Sequence, residues 1–214
     1  MFPSIAELLT LAPPILLALT FHEFAHAWTA NKLGDPTARN AGRLTLNPLA
    51  HLDPIGTLML FIVRFGWAKP VPYNPYNLKN QRWGEALVAV AGSATNILLA
   101  IIFGLIVRFG STPLTTGGTL LDATTLSLAA TIAFINLFLG FFNLIPFPPL
   151  DGFTTLRSAL PWHLSSGLNR FEQQIRTMGT MSLILFLIVF SYIFAAPFFN
   201  FVVWLFGLIT GSSI

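Results

Sequence analysis

The sequence predicts an all-α, multi-pass membrane protein, a helical bundle of about four to six transmembrane segments with a short re-entrant or β-hairpin element. Three observations predict it. Of 214 residues, 54% are hydrophobic and only 9% charged, with a mean hydropathy of +0.72; ordinary soluble domains carry about 25% charged residues. A water-soluble core of this size could not hide so much apolar surface, so lipid is the solvent for much of it. Apolar runs of spanning length alternate with polar, turn-rich stretches, and the first run carries a cluster of ionisable residues that the bilayer penalises unless they have work there.

The first apolar run extends from about Ser4 to Ala30, long enough to cross a hydrocarbon core of ~30 Å at ~1.5 Å per residue, with Pro13 and Pro14 as a potential kink. Asn31 to Pro54 is polar and turn-rich. Ile55 to Val63 is too short to span and reads as re-entrant or interfacial. Gly66 to Asn80, rich in Pro and Asn with interspersed aromatics, reads as an irregular loop or a short edge-strand hairpin. A second span covers about Gly84 to Phe109. The loop Gly110 to Thr125 precedes a third span, Leu126 to about Phe147, which breaks at Pro146, Pro148 and Pro149 just before Leu150-Asp151-Gly152. Leu160 to Thr177 is polar. Met178 to Ile209 is almost wholly apolar and would measure about 48 Å as one straight helix, so Pro197 is expected to divide it into a full span and a shorter final segment.

No long polar segment offers a separate soluble unit, so one membrane-embedded domain over residues 1–214 is expected, without an appended recognition module. The N-terminus lacks a basic n-region and does not read as a removable signal peptide. The net charge of +3 is small and its 11 Lys and Arg are scattered, which gives nucleic-acid binding no support. There is no cysteine, so disulfides and thiolate ligands are excluded. Lys32, Arg39, Arg43, Arg64, Lys69, Lys79 and Arg82 lie between the first two clear spans, and Arg157, Arg170 and Arg176 follow the third. The positive-inside rule puts both regions in the cytoplasm and the N-terminus outside. It also brings the end of the first span and the break at Asp151 to similar depth.

That shared depth matters because His22-Glu23-Phe24-Ala25-His26 matches H-E-x-x-H. On a helix, residues four apart share a face, so two imidazoles converge on one metal, and Glu23 stands beside them to take a proton from a water that the metal acidifies. The bland alternative is a helix-end polar group bonded to water and neighbouring helices. Catalytic zinc commonly takes a third protein ligand. No histidine follows at metzincin spacing, and no Glu appears again until Glu85. Asp35, Asp53 and Asp151 remain near the right depth. The first two precede prolines in turn or cap settings. Asp151 follows a span and a proline break, with Gly152 allowing a close backbone turn, and is the preferred ligand; a turn or helix-cap aspartate is the other reading. Two His and one carboxylate favour zinc.

H-E-x-x-H in an early spanning helix, with Asn143-Leu-Ile-Pro146-Phe-Pro-Pro-Leu-Asp151-Gly152 at the end of a later one, resembles the site-two protease family of intramembrane zinc proteases. The resemblance covers most of the chain, including Gly42-Arg-Leu-Thr-Leu-Asn47-Pro48 and Ala91-Gly92-Ser-Ala-Thr-Asn96; Ser93 stands where the family often has Pro. It implies one Zn2+ per chain on His22, His26 and Asp151, with Glu23 as catalytic acid and base. It also implies transmembrane proteins as substrates, cut within or beside their spans, and a minimal core without PDZ or CBS modules. An integral location, most naturally in the plasma membrane with the active site towards the cytoplasm, follows from the same reading.

Asn96 and Asn143 are candidates to orient substrate backbone or support an oxyanion, with inter-helix hydrogen bonding as the alternative. His51 is a candidate polar contact at the site, or else a loop histidine bonded to backbone. Asn136 reads as packing polarity, His163 as interfacial, and Trp67, Trp83 and Trp162 as belt residues at the headgroups. The stretch from Gly66 to Asn77 could add an edge to an unwound substrate, although Pro70, Pro72 and Pro75 remove donors; a loop on the lipid surface is the alternative. A divalent-cation transporter and a non-cutting zinc scaffold are the competing functions. Transport needs no general base, and an intact Glu23 disfavours the scaffold.

Overall fold

The computed structural model describes residues 5–63, 68–112 and 119–212, and among these it is mostly helical, without a sheet. α1 (Ile5–Lys32) runs through Pro13 and Pro14 as one helix. Its buried hydrophobic residues are small, Ala18, Ala25, Ala27 and Ala30, beside the buried polar His22, Glu23 and His26. Small side chains let helices approach closely where lipid gives no hydrophobic drive for association.

α4 (Gln81–Gly110) is the central element. It starts on Asn80, whose side chain accepts from the Trp83 N–H, and it packs against α1, α5 (Ala123–Asn143), α6 (Asp151–Ala159) and α9 (Ala195–Thr210). Asp122 caps α5 by accepting the N–H groups of Thr124 and Thr125. Where α5 meets α4, a Cβ on Gly140 would lie 2.9 Å from Ile97 Cγ1 and 3.1 Å from the Ser93 carbonyl oxygen. On the other side, α9 joins through a cluster of Ala100, Leu137 and Val202 wrapped by phenylalanines. Among the described residues three helical stretches are long and apolar enough to cross a membrane: Gln81–Gly110, Ala123–Asn143 and Ile184–Thr210.

The shorter elements sit around the polar ends. α2 (Thr37–Asn40) follows the end of α1. α3 (Pro54–Val63), about 15 Å long, occupies the run too short to span. Of the two readings of Gly66 to Asn80, the described residues fit the irregular loop, and a hairpin is not confirmed among them. There is one isolated antiparallel bridge between Leu52 and Ala68, and beyond it residues 69–80 are irregular with a 3₁₀ turn at Pro75–Asn77; Gly66 and Trp67 lie outside the described residues. Pro70, Pro72 and Pro75 explain that, since each removes a ladder donor.

The polar stretch after Leu160 is a helix, α7 (Trp162–Thr177). Its Glu172 is bonded by Arg157 of α6 at 2.6 Å and by Arg176 at 2.8 Å. The C-terminal run continues from α8 (Thr180–Val189) through a π-helical turn, Phe190–Phe194, into α9. The expected division at Pro197 is therefore a local unwinding rather than a separate short segment. Pro197 sits in the first turn of α9, where it lacks an N–H and crowds the carbonyl four residues back, and the π turn lies immediately upstream.

Candidate metal centre

α1 places His22 and His26 one turn apart, their ring centroids 4.6 Å apart and their planes at 85°. The two Nε2 atoms stand 3.0 Å from each other. Asp151, the first residue of α6, puts Oδ2 3.1 Å from His22 Nε2 and 3.3 Å from His26 Nε2. Gly152 makes that approach possible, because a Cβ there would lie 2.1 Å from the Leu144 carbonyl oxygen. The other end of α6 is fastened to the start of α4. Arg157 bonds Glu85, the Ser158 hydroxyl donates to Glu85 Oε2 at 2.7 Å, and Arg82 Nε donates to the Ser158 carbonyl at 3.0 Å.

The protons in the cluster follow from the acceptors behind it. His26 Nδ1 is 2.7 Å from the Val88 carbonyl oxygen, which can only accept, so Nδ1 carries the proton. Asn96 Nδ2 donates to the Ala18 carbonyl at 3.0 Å and to Asn136 Oδ1 at 2.8 Å, which identifies its Oδ1 as the acceptor that faces His22 Nδ1 at 2.6 Å. Both imidazoles, when neutral, are therefore Nδ1–H tautomers with bare lone pairs at Nε2. Asp151 Oδ2 is a buried atom with no hydrogen-bond donor. Three lone-pair atoms facing one another repel unless a cation lies among them.

Their spacing fits one. Ligands at ~2.0–2.1 Å from a tetrahedral zinc stand ~3.3–3.4 Å apart, and the three edges here are 3.0, 3.1 and 3.3 Å. Among the described residues these three form the group that could hold a metal, with all ligand atoms within 4.8 Å of one another. A tetrahedral zinc held by these three would keep a fourth position for water or substrate. The floor of the site is Gly92 of α4. A Cβ there would come within 2.5 Å of His26 Nε2 and 2.7 Å of His22 Nε2, so only glycine leaves the lone pairs free.

Glu23 is buried beside the triad, and its Oε2 accepts the Val71 N–H at 3.2 Å. The other sequence candidates fall elsewhere. Asn96 is fully buried with both amide protons donated, so it has no donor left for substrate; it orients His22 instead. Asn143 donates to the Leu139 carbonyl one turn back at 3.0 Å. His51 is buried outside the triad, its Nε2 bonded to the Thr45 carbonyl at 2.8 Å, as a loop histidine bonded to backbone. Asn136 supports Asn96 and donates to the Ile132 carbonyl at 2.9 Å. His163 is exposed.

Gly92, the Val88 carbonyl and the Val71 N–H are the site groups that sequence reasoning missed. Backbone groups leave no residue-type signal. Gly92 left one, since glycine inside a helix costs about 1 kcal/mol against alanine and calls for a local reason.

Comparison with known proteins agrees with this chemistry. The model of Peptidase family M50 matches residues 110–187, which include Asp151 but not the histidine pair. Alignment with relatives covers most of the chain. It is 38% identical to the protein named "Putative zinc metalloprotease YwhC" of Bacillus subtilis (strain 168), over 89% of this chain and 82% of the relative. It is 32% identical to Rip2 of Mycobacterium tuberculosis (strain ATCC 25618 / H37Rv), which carries the same description, over 90% of this chain and 71% of the relative. No solved structure matches. With three apolar helices of spanning length and these relatives, the chain belongs to peptidase family M50, as an integral-membrane zinc metalloendopeptidase.

Proposed function

We propose that this enzyme cuts transmembrane proteins within or beside their spans, using one zinc on His22, His26 and Asp151 and Glu23 as the proton carrier. The observation that carries the proposal is the triad of unprotonated ligand atoms at tetrahedral spacing, with a buried carboxylate next to it in sequence. Zinc, when bound, supplies Lewis acidity, which polarises a scissile carbonyl and acidifies water. The chain supplies the rest. Asn96 and Val88 hold the imidazoles in the ligating tautomer, Gly92 keeps the space open, and Glu23 accepts the water proton and returns it to the leaving nitrogen.

A helical peptide bond is shielded by its own turn, so substrate must be locally unwound. Residues 69–72, beyond the Leu52–Ala68 bridge, can offer such a strand only carbonyl acceptors, since the Lys69 N–H is given to the His51 carbonyl, the Val71 N–H to Glu23, and Pro70 and Pro72 have none. α1, at 28 residues, is long enough to be a fourth span. A single domain of four spans, with α3 as the re-entrant element, accommodates the whole chain. The basic residues of the loop before α4 and those after α5 support a site opening towards the cytoplasmic face of the plasma membrane.

The test is reconstitution in liposomes with a labelled panel of single-span proteins. Cleavage by wild type that is lost in Glu23→Gln, with zinc retained, is the expected result. Metal flux that survives Glu23→Gln, without cleavage, would replace the protease with a transporter.

A further inference from the structure

In Pro70-Val71-Pro72 two of three residues have no N–H, and the one donor the tripeptide possesses is given to Glu23 Oε2, at 3.2 Å. The proline after Val71 restricts that residue to extended backbone, so the donor stands on a stiff piece of chain. That piece is anchored close by. Asp35, fully buried three residues beyond α1, accepts the Asn74 N–H at 2.7 Å on Oδ2. Its Oδ1 accepts from Asn77 Nδ2 at 2.8 Å, from the Thr37 N–H at 3.1 Å and from the Thr37 hydroxyl. The Lys79 N–H donates to the Leu33 carbonyl at 2.9 Å, and the Tyr73 hydroxyl donates to Glu85 at 3.2 Å. The segment is thus tied to the end of the helix that carries His22, Glu23 and His26, and to the start of the helix that carries Gly92.

We infer that residues 70–74 form a strap whose Val71 N–H is a positioning group for Glu23, and that Asp35 is the positioning residue that holds the strap in register. A carboxylate has two oxygens. With Oε2 held by the strap, Oε1 is the oxygen directed to the water proton, and its orientation no longer depends on the free rotation of the side chain. A backbone donor suits this task because no rotamer change can withdraw it. The inference rests on the proposed role of Glu23 as proton carrier.

Two measurements test it. The first needs no substrate: residue-resolved amide hydrogen exchange of the detergent-solubilised protein. The Val71 amide is expected to be protected in wild type and to exchange about tenfold faster in Glu23→Ala and in Asp35→Asn. The second uses a fluorescently labelled single-span peptide with a helix-breaking Asn-Pro-Gly segment, or the best substrate of the reconstitution panel. Val71→Pro removes the donor while keeping extended backbone, and is expected to lower kcat about tenfold with KM and bound zinc near wild type. Asp35→Asn is expected to follow it, and Val71→Ala, which keeps the N–H, to restore kcat. An unprotected Val71 amide in wild type, or kcat for Val71→Pro equal to that of Val71→Ala, overturns the positioning role. So does a Val71→Pro enzyme that loses zinc but keeps its kcat per bound zinc. Cleavage surviving in Glu23→Gln instead overturns the reading of Glu23 itself, whatever the strap does.

Discussion

His22 and His26 present lone pairs to one another because acceptors behind each ring hold its proton at Nδ1, and those acceptors come from α4 rather than from the motif. Truncating one of them tests how far the ligands depend on it. In Asn96→Ala, His22 loses its acceptor and Asn136 Oδ1 loses its donor. Zinc affinity, read by chelator competition, is expected to fall about 10–100-fold, as for other outer partners of ligating histidines. Gly92→Ala is a sharper case. Alanine favours a helix over glycine by about 1 kcal/mol, so the helix itself gains, yet the new Cβ lands within 2.7 Å of both Nε2 atoms. Zinc content is expected to collapse, and the thermal stability of the metal-free protein to fall slightly, because overpacking against the buried rings costs about 1–3 kcal/mol, more than the helix gains. A variant that still binds stoichiometric zinc would show that the floor of the site yields. At this scale the sequence was informative about side chains that ligate, since H-E-x-x-H and Leu150-Asp151-Gly152 name their atoms. It was mute on the backbone groups of Val88 and Val71, which any non-proline residue could supply, and it left Asn96 open between substrate contact and an inter-helix hydrogen bond, of which the geometry shows the second, to His22.

The elements that move the site residues into place are fastened at their polar ends. Asp35 joins the end of α1 to the 69–80 segment, and Glu85 with Arg157 joins α4 to α6. Burial works against the charge on Asp35, but the bonds from Thr37, Asn77 and Asn74 outweigh it and hold the carboxyl below the usual carboxylate range. A carboxylate with a lowered folded-state pKa contributes stability that is complete above its unfolded value of ~3.9 and is lost as pH falls through the folded value. The Tm advantage of wild type over Asp35→Asn is therefore expected to be constant near neutrality and to shrink as pH drops from about 5 to about 3. A gap that does not change across that window would show that Asp35 is not held as the anion. The sequence marks Asp35 as a turn or cap aspartate and stops there. Its partners at Asn74 and Asn77 lie some forty residues away, a separation that local pattern does not reach. α7 is a different case, since Leu164, Leu168, Phe171 and Ile175 recur at helical spacing within its polar sequence and local pattern does announce it.

For the whole molecule, composition carried the argument furthest. So few charges among so many apolar residues point to lipid, and the spans at α4 and α5 lie within a few residues of the apolar runs that announce them. The C-terminal run was harder, because proline signals a break without saying whether the helix stops or loosens; here it loosens into a π turn. The meeting of α1 with α6 across more than a hundred residues was legible only through shared depth, and the bundle turns that shared depth into atomic contact by packing both helices against α4.

The proposed chemistry needs a single cation on two imidazoles and one carboxylate, in a chain without thiolate ligands. Zinc-edge X-ray absorption on the purified protein measures that set directly. The expected spectrum shows two imidazole nitrogens and carboxylate or water oxygen at ~2.0–2.2 Å, and the signal disappears with Asp151→Ala. Bound zinc that shows one imidazole or none, or that keeps an unchanged shell without Asp151, contradicts it.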